Sequence, residues 1–252
     1  MMENARAVIG IIGGSGLDNP DILSNPRDEI VKTPYGDAPL KRGVIDGVNV
    51  VLLARHGREH TVPPTQVNFR ANISALKSAG CTCILATTAV GSLREEIKRG
   101  DLVIIDQFID FTKQRKMTFH ESFEPHKPVH QPMAEPYDQK LREILIEECR
   151  KKKFSFHPKG TVVTIEGPRF STRAESLMFR SWGADIINMS VSTETALANE
   201  AGIPYAAIAM STDYDCWKTD EEPVSWDAIS KVFAENAEKV TVLLKSVISK
   251  IN

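Results

Sequence analysis

The sequence predicts an α/β domain of three layers, on three observations. Short apolar runs recur along the chain, helical patterns lie between several of them, and no linker divides the whole. Strands alternating with helices fit a sheet covered by helices on both faces. Most of the runs are continuously apolar rather than alternating, as strands buried on both sides must be. At 252 residues and 42% hydrophobic content, the chain is long enough for one such domain with a substantial core. No repeat or low-complexity tract interrupts it, so residues 1–252 are read as a single domain.

In chain order the expected strands are residues 7–12, 48–54, 81–87, 102–105, 161–165, 185–187 and 205–210. The first runs into Gly13-Gly14-Ser15-Gly16, whose bare amides and Ser15 hydroxyl could form an anion nest, or simply a tight turn. It is neither a phosphate loop with a following Gly-Lys nor a dinucleotide fingerprint, because Asn19 stands where the third small residue belongs. A second strand ends at Arg55-His56-Gly57, offering a planar fork suited to phosphate oxygens. Thr87-Thr88-Ala89-Val90-Gly91-Ser92 follows the third and adds hydroxyl and amide donors. Three strand ends with oxyanion-binding chemistry match the rule that open α/β sheets bind ligands beyond the carboxyl ends of their strands.

Helices are marked by their ends. Thr172-Arg173-Ala174-Glu175 has the spacing of a capping box and opens a helix that should stop at Gly183. Another ends near Gly202, with Pro204 beyond it. The last, from about residue 225 to 250, aligns Trp226, Ile229, Phe233, Ala237, Val240, Leu244, Val247 and Ile248 on one face. Residues 111–136, rich in His and Pro, show no period; a loop of that length in a compact domain is usually functional or interfacial.

Composition excludes several classes. The net charge is −2 and the one basic run, Arg150-Lys151-Lys152-Lys153, reads as a helix terminus, so neither nucleic acid nor an anionic membrane is an expected partner. Cys81, Cys83, Cys149 and Cys216 are irregularly spaced and read as reduced thiols. His56 and His60, and His126 and His130, are four apart, but Gly57 and the prolines at 125 and 128 break helical spacing, so no metal site is expected. No stretch has the length of a secretion signal core or a membrane span, which predicts a cytoplasmic protein.

The most informative run is Ser211-Thr212-Asp213-Tyr214-Asp215-Cys216-Trp217, at the end of the last expected strand. In an extended segment Asp213 and Asp215 would point the same way and could address one ligand edge together. Adenine offers an acceptor at N7 and a donor at its 6-amino group. A carboxylate meets the donor as an ion and the acceptor only when protonated, which calls for one neutral and one ionised Asp. The same doublet also suits a turn or helix cap.

Taken together, IGIIGGSGL at 9–17, LARHGREH at 53–60, TAVGSLREE at 88–96, DQFID at 106–110, PMAEP at 132–136, TIEGPRFSTRAE at 164–175, Asn188-Met189-Ser190 and STDYDCW at 211–217 resemble the trimeric purine nucleoside phosphorylase family. Within it they are most similar to the 5′-methylthioadenosine phosphorylase branch, in the right order over almost the whole chain. The resemblance implies a mixed central β-sheet flanked by helices and phosphorolysis of the N-glycosidic bond of a nucleoside such as methylthioadenosine. The alternative is a broader purine nucleoside phosphorylase acting on adenosine, inosine, guanosine or methylthioinosine.

It further implies phosphate binding by Ser15, Arg55, His56, Thr88, Ala89 and Ser190. Phe170, Asn188, Met189, Asp213 and Asp215 would hold base and ribose, the two Asp residues also being catalytic. His60, Trp226 and Ile229, with His130 from a neighbouring subunit, would approach the 5′ group. Inorganic phosphate is the co-substrate, no metal or organic cofactor is implied, and the assembly would be a homotrimer with shared active sites. The chain departs from the family at Ser15 and Ser190, where the branch often has Thr, and at Thr193, where a Pro usually precedes the Glu.

Overall fold

Runs of one to four strands separated by helices make up residues 7–14, 22–221 and 225–251, the residues that the computed structural model describes. The elements are β1 Val8–Gly13, β2 Ser24–Thr33, β3 Gly36–Ile45, β4 Val48–Ala54, α1 Phe69–Ser78, β5 Cys83–Ser92, β6 Leu102–Ile104, β7 Gln107–Phe111, α2 Gln139–Lys151, β8 Phe156–His157, β9 Thr161–Ile165, α3 Arg173–Ser181, β10 Ile186–Asn188, α4 Val191–Glu200, β11 Tyr205–Asp213 and α5 Trp226–Ile248. The strands form one mixed sheet, with the order β2-β3-β4-β1-β5-β10-β9-β7 and a branch from β5 through β11 and β6 to β8. Alternate residues of β1 supply opposite faces. Ile12 joins a core that includes Leu76 of α1 and Leu197 of α4, while Ile9 and Ile11 join one that includes Leu145 of α2 and Leu244 of α5. This is the expected three-layer arrangement.

Local chemistry explains the helix ends. Thr172 accepts from the Glu175 amide and Glu175 from the Thr172 amide, completing the capping box of α3. Arg150 and Lys151 occupy the last turn of α2, where cations suit the exposed carbonyls. In α5, Ile229, Phe233, Val240, Leu244, Val247 and Ile248 are buried as their spacing requires, and each such side chain removed from water is worth about 2 kcal/mol. Trp226 differs. It is 49% exposed and packs on His60 instead of the core.

Two features that bear on the site go beyond the sequence pattern. The β2–β3 hairpin is exposed along most of β2, so burial leaves no apolar signature; a Thr33 hydroxyl bonded to the Gly36 carbonyl closes its turn. The third strand continues to Ser92 rather than stopping at 87, so Thr88 and Ala89 lie within β5. That continuation positions the site. β1 pairs with one edge of β5 only as far as Ile12 opposite Ala86, and β10 takes up the edge again at Gly91. Meanwhile β11 holds the other edge from Ile84 to Gly91. Thr87 to Val90 therefore border a gap in the sheet, and a cavity opens there.

Candidate active site

The cavity has a volume of about 380 Å³ and is lined by Arg55, His56, His60, Thr88, Ala89, Phe170, Asn188, Met189, Ser190, Asp213, Asp215, Trp226 and Ile229. The fold thus brings together all but two of the residues singled out from the sequence. Ser15 lies outside the described residues. His130 does not line this cavity; it sits on the long loop against Phe123, with ring centroids 5.8 Å apart.

One end of the cavity is built for an anion. Arg55 follows β4 and is 3% exposed, its Nη1 donating to the Thr87 carbonyl at 2.9 Å. Gly14 must be a glycine for this guanidinium to pass, since a Cβ there would lie 2.8 Å from both Arg55 Nη1 and the Thr87 oxygen. The glycine turn thus owes at least one of its residues to the arginine. Ser190 caps α4 without spending its hydroxyl on a capping bond, and it is 4% exposed. Asn188 ties these parts together: its amide donates to the Thr88 hydroxyl at 3.2 Å and its oxygen accepts from Thr164 at 2.8 Å.

His56 is held as a neutral ring. Its Nδ1 lies 2.9 Å from the Val62 carbonyl, which can only accept, so the proton is on Nδ1. Burial, reinforced by the neighbouring Arg55 charge, pushes its pKa down to about 4. Nε2 is then an acceptor, suited to a phosphate oxygen that still carries a proton.

The other end holds the acid pair, reached from Thr88 by about 10 Å of extended strand to Gly91. The two carboxyls do not share a face by simple strand alternation, as the spacing suggested. Register shifts between Ser211 and Asp213, a bulge that turns the end of β11 toward the cavity. Asp215 lies in the short helical turn beyond, at φ 48°, a left-handed conformation that Asp tolerates better than most residues. Gly91 makes room: a Cβ on it would sit 2.9 Å from Asp213 Oδ1 and 3.0 Å from Ile187.

Asp213 accepts from the Asp215 amide and the Thr212 hydroxyl, both at 2.8 Å, and is 8% exposed. Burial outweighs these bonds and raises its pKa to about 6. Burial also raises that of Asp215, which takes the Ser171 hydroxyl on its two oxygens at 3.2 and 3.1 Å. The two residues are not equivalent. Thr212 also lies 3.2 Å from the Val90 carbonyl, so its hydroxyl can donate there and accept a hydrogen bond from a protonated Asp213. Ser171 keeps Asp215 an acceptor.

Phe170 is 40% exposed on the cavity wall, an unburied aromatic face of the sort that stacks on a planar ligand. His60 stacks between His56 and Trp226, with centroids 4.6 and 4.8 Å away. Ser171, Thr212 and Gly91 lie within the sequence motifs, but their jobs are visible only in three dimensions. Thr193, where the resemblance leads to an expected Pro, accepts from Arg115 Nη1 at 3.3 Å; the same arginine pairs with Glu166 and so ties the long loop to the segment leading to Phe170.

Comparison with known proteins gives a consistent result. Residues 8–249 match the family model of the phosphorylase superfamily. The chain is 56% identical over 257 aligned positions to the S-methyl-5′-thioadenosine phosphorylase of Danio rerio, covering 100% of this chain and 91% of that one. Among solved structures it resembles the methylthioadenosine phosphorylase of Schistosoma mansoni in complex with adenine, with a TM-score of 0.92, 41% identity, and 97% and 91% of the two chains covered. A point variant of the adenosine/methylthioadenosine phosphorylase from the same organism, in complex with methylthioadenosine, gives a TM-score of 0.90 at 40% identity, covering 97% and 91%.

Proposed function

The chain belongs to the phosphorylase superfamily and groups there with the S-methyl-5′-thioadenosine phosphorylases, and from this premise we propose that its cavity splits methylthioadenosine with inorganic phosphate. The products are adenine and 5-methylthioribose 1-phosphate, which makes the enzyme a pentosyltransferase serving purine and methionine salvage. One observation carries the reading: a single cavity holds a buried acid pair at one end and a buried arginine with hydroxyl donors at the other.

Phosphate is held by Arg55, Thr88, Ser190, the Ala89 backbone and the acceptor nitrogen of His56, with Ser15 completing the set. Fixed in that way, a phosphate oxygen attacks C1′ as though the reaction were intramolecular, and its charge stabilises the ribosyl cation that develops. The C1′–N9 bond breaks with its electron pair passing to the base. Asp213 delivers a proton to N7, so that adenine leaves neutral, while ionised Asp215 accepts from the 6-amino group. Phe170 stacks on the base, Met189 lies against the ribose, and Asn188 contacts the base while its amide holds the Thr88 hydroxyl at the phosphate end. His60, Trp226 and Ile229 receive the methylthio group.

No metal or organic cofactor enters this chemistry. We assign the enzyme to the cytoplasm and to a homotrimer in which His130 reaches a neighbour's 5′ pocket; the exposed Phe123 and Val129 beside it support an interface on that loop. Among the described residues, no helix is long and apolar enough to cross a membrane. The test is to incubate the protein with methylthioadenosine with and without phosphate. Adenine should appear only with phosphate, in equal amount to the sugar phosphate; release of free methylthioribose in its absence would make the protein a hydrolase.

A further inference from the structure

We propose that Glu194 is a positioning residue for the phosphate step: its carboxylate fixes the plane of the Arg55 guanidinium, and Tyr205 in turn fixes Glu194. The inference rests on the phosphorolysis reading above and adds a residue to it. Glu194 lies on α4, 139 residues from Arg55, and both side chains are 1% exposed. Arg55 Nε donates to Glu194 Oε1 and Nη2 donates to Oε2 at 2.8 Å, a two-point match of fork to carboxylate. The Tyr205 hydroxyl donates to the same Oε2 at 2.7 Å. With Nη1 on the Thr87 carbonyl, the guanidinium is held along two edges and can neither tilt nor rotate.

A buried ion pair is poor evidence of stability alone, because two apolar residues of similar volume often serve as well. An apolar pair here would present no guanidinium to the cavity. The arrangement therefore makes sense through what Arg55 does next. Glu194 also sits on the helix that Ser190 caps, so one rigid element sets both the arginine and the serine hydroxyl. Orientation of this kind acts on the anion and leaves the purine end of the cavity untouched.

The experiment is steady-state kinetics on the whole enzyme, varying phosphate at saturating nucleoside and then the reverse. Glu194→Gln puts an amide nitrogen against one of three donors, and the KM for phosphate should rise about tenfold or more, the equivalent of one misdirected hydrogen bond, with the nucleoside KM changing less than about twofold. Should E194Q fail to give a cooperative melt, Tyr205→Phe carries the test, since it deletes one oxygen and leaves both charges paired. It should raise the phosphate KM about threefold with no change for the nucleoside. Equal movement of both constants in a folded variant, or an unmoved phosphate KM, overturns the proposal. Wild-type turnover that does not depend on phosphate would remove the underlying reading instead, so the two failures are distinct.

Discussion

Asp213→Asn is expected to lower kcat by a factor of about 10²–10⁴ while nucleoside binding changes only a few-fold, the range ascribed to a lost general acid. An amide can still donate a hydrogen bond to N7 but cannot surrender the proton, so the loss belongs to the transition state. The same substitution should make the protein more stable at neutral pH. Asp213 has its folded pKa raised to about 6 from 3.8, so the folded state binds the extra proton. The stability tied to that proton is fully present below pH 4 and lost as pH rises through about 6. The difference of 6 − 3.8 = 2.2 units corresponds to as much as about 3 kcal/mol. Asn avoids that loss, and its amide can accept from the Asp215 N–H and donate to Thr212. Urea denaturation at pH 8 and pH 4 checks this: D213N should exceed wild type at the first and match it at the second. In the wild type, kcat/KM should fall as pH rises above about 6, whereas His56, held near 4, adds no limb there.

The second large effect is on the base. A 6-oxopurine would bring a carbonyl against an Asp215 that is 6% exposed and already held as an acceptor by Ser171. Mispairing at a buried hydrogen-bonding site can cost a factor of about 10⁴, so adenosine and methylthioadenosine should outrun inosine by that order in kcat/KM. Asp215→Asn would turn a donor toward the carbonyl and should narrow the gap to within about tenfold, mostly by slowing the aminopurines. A substrate panel at equal concentrations reads both enzymes. Inosine as the faster wild-type substrate would refute the assignment of Asp215.

Much of this was legible before the fold. The apolar runs of β1, β4, β9 and β11, the capping box at Thr172 and the buried face of α5 follow from burial and backbone chemistry alone. Residues such as Arg55, Thr88 and Asp213 declared themselves because their chemistry sits beside those runs. What was not legible depends on long-range geometry. The β2–β3 hairpin buries too little to show a pattern, the continuation of β5 past Thr87 comes from its pairing with β11 and β10, and the bulge before Asp213 is a matter of register. Glu194 was hidden for the same reason. Its spacing to Arg55 along the chain carries no signal, and only the fold, which brings α4 to the residue that follows β4, makes the pair.

The arrangement as a whole is tested most directly by a crystal structure of the enzyme with methylthioadenosine and sulfate. The purine N7 should lie within hydrogen-bond distance of Asp213 and its 6-amino group within reach of Asp215, with the sulfate against Arg55, Thr88 and Ser190 across the ribose. A purine turned away from both carboxyls, or a sulfate bound elsewhere with the arginine untouched, would contradict it.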